Sequence, residues 1–115
     1  MKREIETKFF TFHQNNSGGY FITDDEHGIC ETVIIEAVSA NEAWNKLNKI
    51  GENVPNMHSF CSCCGKRWHY CYDEGTDQPE IWGESVETAK ASTFRNKTFV
   101  HYFDGTIKVF NHKPE

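Results

Sequence analysis

The chain has almost no leucine, and its apolar residues never form a long run. Leu47 is the only leucine among 115 residues, against nine Phe, four Tyr and three Trp. The core must therefore be built from aromatic residues, Ile and Val, which favour strands over helices. Hydrophobic residues make up only 37% of the chain, and a core of that size favours an additional staple for the fold.

Segments that would address the chain to a membrane are also missing from the sequence. No apolar run is long enough to span a bilayer, and the opening MKREIETKFF carries charge without the apolar stretch of a secretory signal. We therefore expect a cytoplasmic protein. The length predicts one domain over residues 1–115, with no second core.

Cations are absent from two long stretches. No Lys or Arg lies between Phe9 and Asn45 or between Trp68 and Ala89. Each stretch holds six carboxylates, and those of the second are Asp73, Glu74, Asp77, Glu80, Glu84 and Glu87. Such a surface repels free nucleic acid and suits a basic protein surface, including one that normally grips nucleic acid. The alternative is that these charges only keep the protein soluble.

The hydrophobic patterns predict an α+β domain, in which one main helix packs on a mostly antiparallel sheet. Residues 8–14 and 20–23 predict a first hairpin, and 29–37 a central strand buried on both faces. Residues 97–103 and 106–112 predict a second hairpin around Asp104-Gly105, a two-residue turn. Residues 81–83 suggest an edge strand, and 85–92 a short helix.

A helix is predicted over residues 39–51 from its capping residues and its apolar spacing. Ser39 can cap its N-terminus, with Glu42 completing a capping box. Apolar residues recur at helical spacing through Trp44 and Leu47. Gly51 is predicted to end the helix in the left-handed conformation.

Four of the five cysteines lie within residues 58–71, HSFCSCCGKRWHYC. Cys61, Cys64 and Gly65 form a C-x-x-C-G unit, in which two thiolates converge on one tetrahedral ion. In a reducing compartment, clustered cysteines are more often metal ligands or redox groups than disulfides. We therefore predict a Zn²⁺ site in a zinc-knuckle loop. Reduced packed thiols, a redox pair and a disulfide formed in vitro are the competing interpretations.

The remaining ligands are not settled by spacing. The leading set is His58, Cys61, Cys64 and Cys71, with Cys63 as the next candidate. Thiolate-rich zinc sites are closed and structural, whereas catalytic zinc keeps an open position and a nearby base. The H-E-x-x-H and deaminase signatures are absent from the sequence. We therefore predict no catalytic residues and no enzymatic activity.

Three stretches resemble a family of small phage-encoded proteins of largely unassigned function. They are KFFTFHQNNSGGYF, VIIEA followed by NEAW, and HSFCSCCGKRW, of which the C-x-C-C-G-x-R-W motif is the most specific. Small, acidic, metal-bound phage proteins are similar to anti-CRISPR inhibitors, some of which are zinc proteins that block a type II RNA-guided nuclease. The resemblance implies such a role in the cytoplasm of a bacterial host.

The leading hypothesis is therefore a non-enzymatic, zinc-stabilised acidic binding protein that inhibits a type II RNA-guided nuclease and blocks nucleic-acid loading. Its partner is a protein with a basic surface, and we expect neither membrane nor direct nucleic-acid binding. The alternatives are a metal-dependent hydrolase or nuclease, and a nucleic-acid-binding zinc module.

Overall fold

The computed structural model describes residues 6–14, 21–54, 60–61, 65–66, 68, 74–81, 83–91 and 97–112, with the backbone alone at 60–61 and 65–66. The main sheet consists of β1 (Lys8–His13), β2 (Thr32–Ala37), β7 (Lys97–His101) and β8 (Ile107–Asn111), in the order β1-β2-β7-β8. The β1–β2 and β7–β8 pairs are antiparallel and β2–β7 is parallel. The helix α1 (Ala40–Gly51) packs on this sheet. The predicted α+β class, with a mostly antiparallel sheet and one main helix, is confirmed.

Strand β2 is central and buried on both faces, as predicted. Val33 and Ile35 pack with the helix, whereas Ile34 packs on the opposite face, and all three are almost fully buried. The strand begins at Thr32 rather than at residue 29. Ile29 instead exchanges two backbone hydrogen bonds with Asp24, at 2.8 and 2.9 Å, because the chain folds back on itself there.

The predicted first hairpin is wrong, because β1 pairs with β2. Phe10 lies opposite Ile35 in the register, and residues 21–23 form no strand. The side chain of Gln14 bonds this segment instead. Its amide donates to the carbonyls of Ile22 and Cys30, at 2.7 and 2.8 Å, and its oxygen accepts from the Ile22 N–H at 2.8 Å.

The helix begins as predicted and ends differently. The Ser39 hydroxyl accepts from the Glu42 N–H at 3.1 Å, and the Glu42 carboxylate accepts from the Val38 N–H at 3.2 Å. Gly51 is the last helical residue and is not in the left-handed conformation. Successive i→i+3 bonds continue through residue 54 and bring Val54 into the core, so burial of Val54 replaces the predicted glycine cap.

A second layer covers the sheet face opposite the helix. We call residues 74–81 and 83–91 the covering segment. It contains the short hairpin of β5 (Glu80–Ile81) and β6 (Glu84–Ser85), and it buries Ile81, Val86 and Ala89 against the sheet. The predicted edge strand at 81–83 shares only Ile81 with β5, which begins one residue earlier, and Gly83 lies in a turn. The predicted helix over 85–92 is wrong, because a single turn closed by the Ala89 N–H on the Ser85 carbonyl replaces it.

The C-terminal hairpin is confirmed, with a turn one residue longer than predicted. Tyr102 donates its N–H to the Thr106 carbonyl at 2.7 Å, and Gly105 donates to the Tyr102 carbonyl at 3.0 Å. Residues 103–105 therefore form the loop, and Gly105 adopts φ 94°. Among the described helices, none has the length and apolar character needed to cross a membrane.

Candidate functional site

The cysteine segment contains a short hairpin whose strands are β3 (Phe60–Cys61) and β4 (Gly65–Lys66). Cys61 lies opposite Gly65, and Phe60 opposite Lys66. The strand pair therefore brackets residues 62–64, so the first and last residues of the C-x-x-C-G unit lie side by side. The predicted ligands His58, Cys63, Cys64 and Cys71 lie outside the described residues, as does the side chain of Cys61.

Trp68 attaches the cysteine segment to the main sheet. It forms an antiparallel bridge with Gln14, the residue that follows β1, and its side chain is buried in the core beneath the helix. Its indole N–H has no hydrogen-bond partner among the residues that the structure describes. Within the described parts of the chain, Trp68 therefore contributes apolar surface that packs this segment against the core.

The predicted partner-binding carboxylates lie together on the covering segment. We call Glu74, Asp77, Glu80, Glu84 and Glu87 the acidic surface; Asp73 lies outside the described residues. All of the set are exposed except Glu80, which is half-buried. Asp77 forms an ion pair with Lys8. The other four have no ion-pair partner within the described parts of the chain.

Backbone contacts hold the acidic surface in place against β1. Phe9 and Thr76 exchange two backbone hydrogen bonds, at 2.8 and 2.9 Å, and the Thr11 hydroxyl donates to the Glu80 carbonyl at 2.7 Å. Gly75 adopts φ 81° where a Cβ would lie 2.7 Å from the Lys8 side chain. The covering segment thus runs along the sheet edge at a distance that only glycine permits at this position.

An aromatic groove opens within the acidic surface. Its volume is about 280 Å³, and Phe9, Tyr102 and Phe110 lie along it together with Glu80 and Glu87. The rings of Phe9 and Tyr102 meet edge to face, with centroids 5.9 Å apart. Burial raises the pKa of the Tyr102 phenol, and the charges of Glu87 and Glu36 raise it further. The groove thus combines an aromatic floor with carboxylates at its rim.

The aromatic groove already has a cation on one of its rings. The Lys108 ammonium lies 5.6 Å from the centroid of Tyr102, within the range of a cation–π contact. Sequence reasoning found the carboxylates but missed the groove. Its floor comes from β1, from β8 and from Tyr102, the residue that follows β7. No local pattern signals that these three aromatic residues meet.

A second acidic turn groups Asp24, Glu26 and His27, whose ligand atoms all lie within 4.8 Å of one another. The Asp24 carboxylate bonds His27 twice, to the ring Nδ1 at 2.9 Å and to the backbone N–H at 3.1 Å. The hydrogen bond from the His27 ring is the main reason that the pKa of Asp24 is lowered. These two hydrogen bonds explain why the three side chains lie close together, because they hold residues 24–27 in a turn. Sequence reasoning did not single out His27, although its spacing from Asp24 is typical of such a turn.

Three histidines of the sheet region are held by internal contacts. His13 contacts Glu31 and Thr32, and His112 lies between the Thr98 hydroxyl and the Ala89 carbonyl, at 2.7 and 3.0 Å. His101 is buried and bonds the Gly28 carbonyl at 2.8 Å. All three lie within or beside the main strands, and these contacts hold their side chains in place in the fold.

The comparisons with known proteins identify a family without an assigned activity. No match was found among curated proteins or among solved structures. Residues 7–114 match a family described as a domain of unknown function, DUF7296. That span covers nearly the whole chain, and the protein therefore belongs to this family.

Proposed function

We propose that this protein is a non-enzymatic binding protein that docks on a basic protein surface through the acidic surface of its covering segment. The observation that carries the proposal is the aromatic groove between Glu80 and Glu87. Carboxylates around an aromatic floor are complementary to Arg and Lys side chains, whose aliphatic stems pack on rings while the charged ends meet carboxylates.

The charge pattern supports a partner that supplies several cations. Glu74, Glu80, Glu84 and Glu87 have no ion-pair partner among the described residues. Unpaired surface carboxylates attract a basic protein over the distance set by ionic screening, which speeds association and selects the partner by charge. Binding is therefore expected to weaken as salt is added.

The partner that we propose is a type II RNA-guided nuclease in the cytoplasm of a bacterial host, with the protein acting as a phage anti-CRISPR inhibitor. Such nucleases hold nucleic acid in positively charged channels. A row of carboxylates on a firmly packed layer would compete for those cations and block loading. The resemblance of the C-x-C-C-G-x-R-W stretch to small phage proteins supports this choice of partner.

We further propose that Zn²⁺ closes the cysteine segment, held by Cys61 and Cys64 and by two of His58, Cys63 and Cys71. The pairing of Cys61 with Gly65 supports the proposal, because a tight hairpin is the backbone that a C-x-x-C-G zinc turn requires. When bound, the ion supplies a cross-link and no reaction step. Its role is to hold the loop that leads from Trp68 into the covering segment.

The binding proposal is tested by reversing charge on the acidic surface. The triple variant E74K/E84K/E87K changes three exposed carboxylates without an ion-pair partner in the described chain. The matched control, E6K/E26K/E52K, changes net charge equally at exposed positions elsewhere. Calorimetric titration of a purified type II nuclease measures the affinity of each variant, and a DNA-cleavage assay measures its inhibition.

We expect the acidic-surface triple to lose affinity by roughly tenfold or more, and the control to lose far less. Equal losses would show that net charge alone matters and would contradict the acidic surface. If the nuclease binds neither wild type nor variants, that partner is excluded. Metal-dependent cleavage of nucleic acid by the protein itself would instead establish the hydrolase alternative.

A further inference from the structure

A second groove lies on the helix side of the sheet, away from the acidic surface. Its volume is about 350 Å³, and it runs between the last turns of α1 and the tip of the β7–β8 hairpin. Ile35, Ile50 and Ile107 lie along it, and Phe103 stands at its hairpin end. We call it the helix-side groove. Its size is at the lower end of that of small-molecule sites.

Two of the four large exposed apolar residues in the described parts of the chain lie beside this groove. Phe103 is 40% exposed and Ile107 is 44% exposed. Both belong to the β7–β8 hairpin, although most residues of β7 are buried. Large apolar side chains of monomeric proteins that stay exposed along one concave surface mark binding sites more often than scattered ones do. The helix-side groove therefore offers apolar area to a ligand.

The charge of the helix-side groove is opposite to that of the protein as a whole. Its charged lining consists of Lys46 and Lys49, one turn apart on α1, and no carboxylate lines it among the described residues, although the chain has a net charge of −5. Lys46 is engaged, since its ammonium lies 3.6 Å from the Glu42 carboxylate and 4.3 Å from the Phe103 ring centroid. Lys49 has no ion-pair partner within the described residues.

His101 adds a hydrogen-bond acceptor to the lining. His101 is only 8% exposed, and its Nε2 lies 2.8 Å from the Gly28 carbonyl. Because a carbonyl only accepts, Nε2 carries the proton and Nδ1 keeps its lone pair. Nδ1 has no hydrogen-bond partner among the described residues. In the described chain, the indole nitrogen of Trp68 is the only buried side-chain nitrogen or oxygen without a partner. Nδ1 of His101 is therefore accessible, and it suits a ligand that brings a hydrogen-bond donor.

We propose that the helix-side groove binds a small amphipathic carboxylate, such as a medium-chain fatty acid. The apolar chain packs on Ile35, Ile50 and Ile107, and the carboxylate pairs with Lys49. A single negative charge matches the Lys49 ammonium, which has no ion-pair partner among the described residues. A hydroxyl near the carboxylate would donate to His101 Nδ1, so a hydroxylated chain is the preferred member of the class.

The probes are octanoate, 3-hydroxyoctanoate, octan-1-ol and the octylammonium ion, titrated into the full chain and followed by ¹H–¹³C and ¹H–¹⁵N NMR. We expect saturable shifts of the Ile35, Ile50 and Ile107 methyl groups with octanoate. We expect weaker binding of the alcohol and weakest binding of the cation. The hydroxylated acid should also shift the ¹⁵N signal of His101 Nδ1.

Two pairs of variants locate the site. K49Q should lower the affinity for octanoate by roughly two- to fivefold, the range of one exposed ion pair. It should leave the affinity for octan-1-ol unchanged. K90Q replaces an exposed lysine of the covering segment and should change neither affinity. I107E places a negative charge in the groove and should abolish octanoate binding, whereas V109E changes an equally exposed residue outside the groove lining and should retain most of it.

Several results would overturn the proposal. Equal affinity for octanoate and octan-1-ol would remove the role of Lys49, and equal effects of I107E and V109E would place the ligand elsewhere. Shifts produced by the peptide Ac-Leu-Glu-NH₂ but not by octanoate would indicate a polypeptide occupant instead. None of these outcomes depends on the acidic surface, which lies on the other face of the sheet.

Discussion

The imidazole of His101 donates a hydrogen bond to the carbonyl of Gly28 at 2.8 Å, across 73 residues of sequence. This contact fastens the turn that follows residue 24 onto β7. Gly28 adopts φ 69°, and a Cβ there would lie 2.8 Å from the His101 ring and 2.9 Å from Ile107. The turn, the central sheet and the helix-side groove therefore meet at one position that only glycine can occupy.

Replacing Gly28 should destabilise the fold through both backbone and packing. We expect Gly28→Ala to lower the free energy of unfolding by roughly 2–4 kcal/mol, because alanine disfavours a positive φ and its methyl group overpacks the site. Gly83 is the matched control, since it has φ 84° but no atom within 4 Å of the point that a Cβ would occupy. Gly83→Ala should therefore lose only the backbone part, about 1 kcal/mol. Urea unfolding measures both, and equal losses would contradict the close approach at Gly28.

Stability should fall in mild acid because of His101. Burial lowers the pKa of His101 in the folded protein, whereas in the unfolded chain it is near 6.5. Below about pH 6.5 the unfolded chain binds a proton that the folded protein does not, so the free energy of unfolding decreases as pH falls from there towards the folded-state pKa. The slope from this group is at most about 1.4 kcal/mol per pH unit.

The variant His101→Gln isolates this contribution. Glutamine keeps a donor for the Gly28 carbonyl and does not titrate in this range, so the difference in unfolding free energy between wild type and variant should shrink as pH is lowered below about 6.5. Urea unfolding at several pH values measures it. A difference that is constant across that range would show that His101 does not carry the effect.

Gln14 should stabilise the segment that replaces the predicted second strand. Its side chain is 5% exposed and makes three hydrogen bonds to backbone groups of Ile22 and Cys30. Gln14→Leu keeps the size and removes the bonds, so buried backbone groups lose their partners, and we expect a loss of at least about 2 kcal/mol. Gln78→Leu, at an exposed position, is the control and should change stability little. A loss below about 0.5 kcal/mol for the first variant would contradict this role.

The zinc proposal predicts one Zn²⁺ per chain by elemental analysis and unfolding on treatment with a strong chelator, because metal binding then contributes folding free energy. Cys61→Ser and Cys64→Ser should abolish stoichiometric zinc. Cys30→Ala removes a buried cysteine whose thiol bonds the Lys97 carbonyl of β7. This variant should keep the metal. Zinc-free protein with native stability, or loss of zinc in Cys30→Ala, would refute the proposed site.

Some elements were predictable because the determining interactions are local. The start of α1 follows from Ser39 and Glu42, three residues apart, and the C-terminal hairpin from Asp104-Gly105 between two apolar strands. The central position of β2 follows from its apolar run, since only a strand covered on both faces buries Val33, Ile34 and Ile35 together. The acidic surface was visible as a stretch without cations.

The sequence by itself thus determined the elements with local signals, the strand that lies at the centre and the side chains available for binding. Tertiary structure decided which strands pair, because Gln14 satisfies the backbone of residues 22 and 30 and frees β1 to pair with β2. It also decided where the acidic residues lie, since burial of Ile81 and Val86 places their segment over the sheet. Both grooves depend on residues distant in sequence, such as Phe9 with Tyr102 and Lys49 with Ile107, and only the packed sheet brings such residues together.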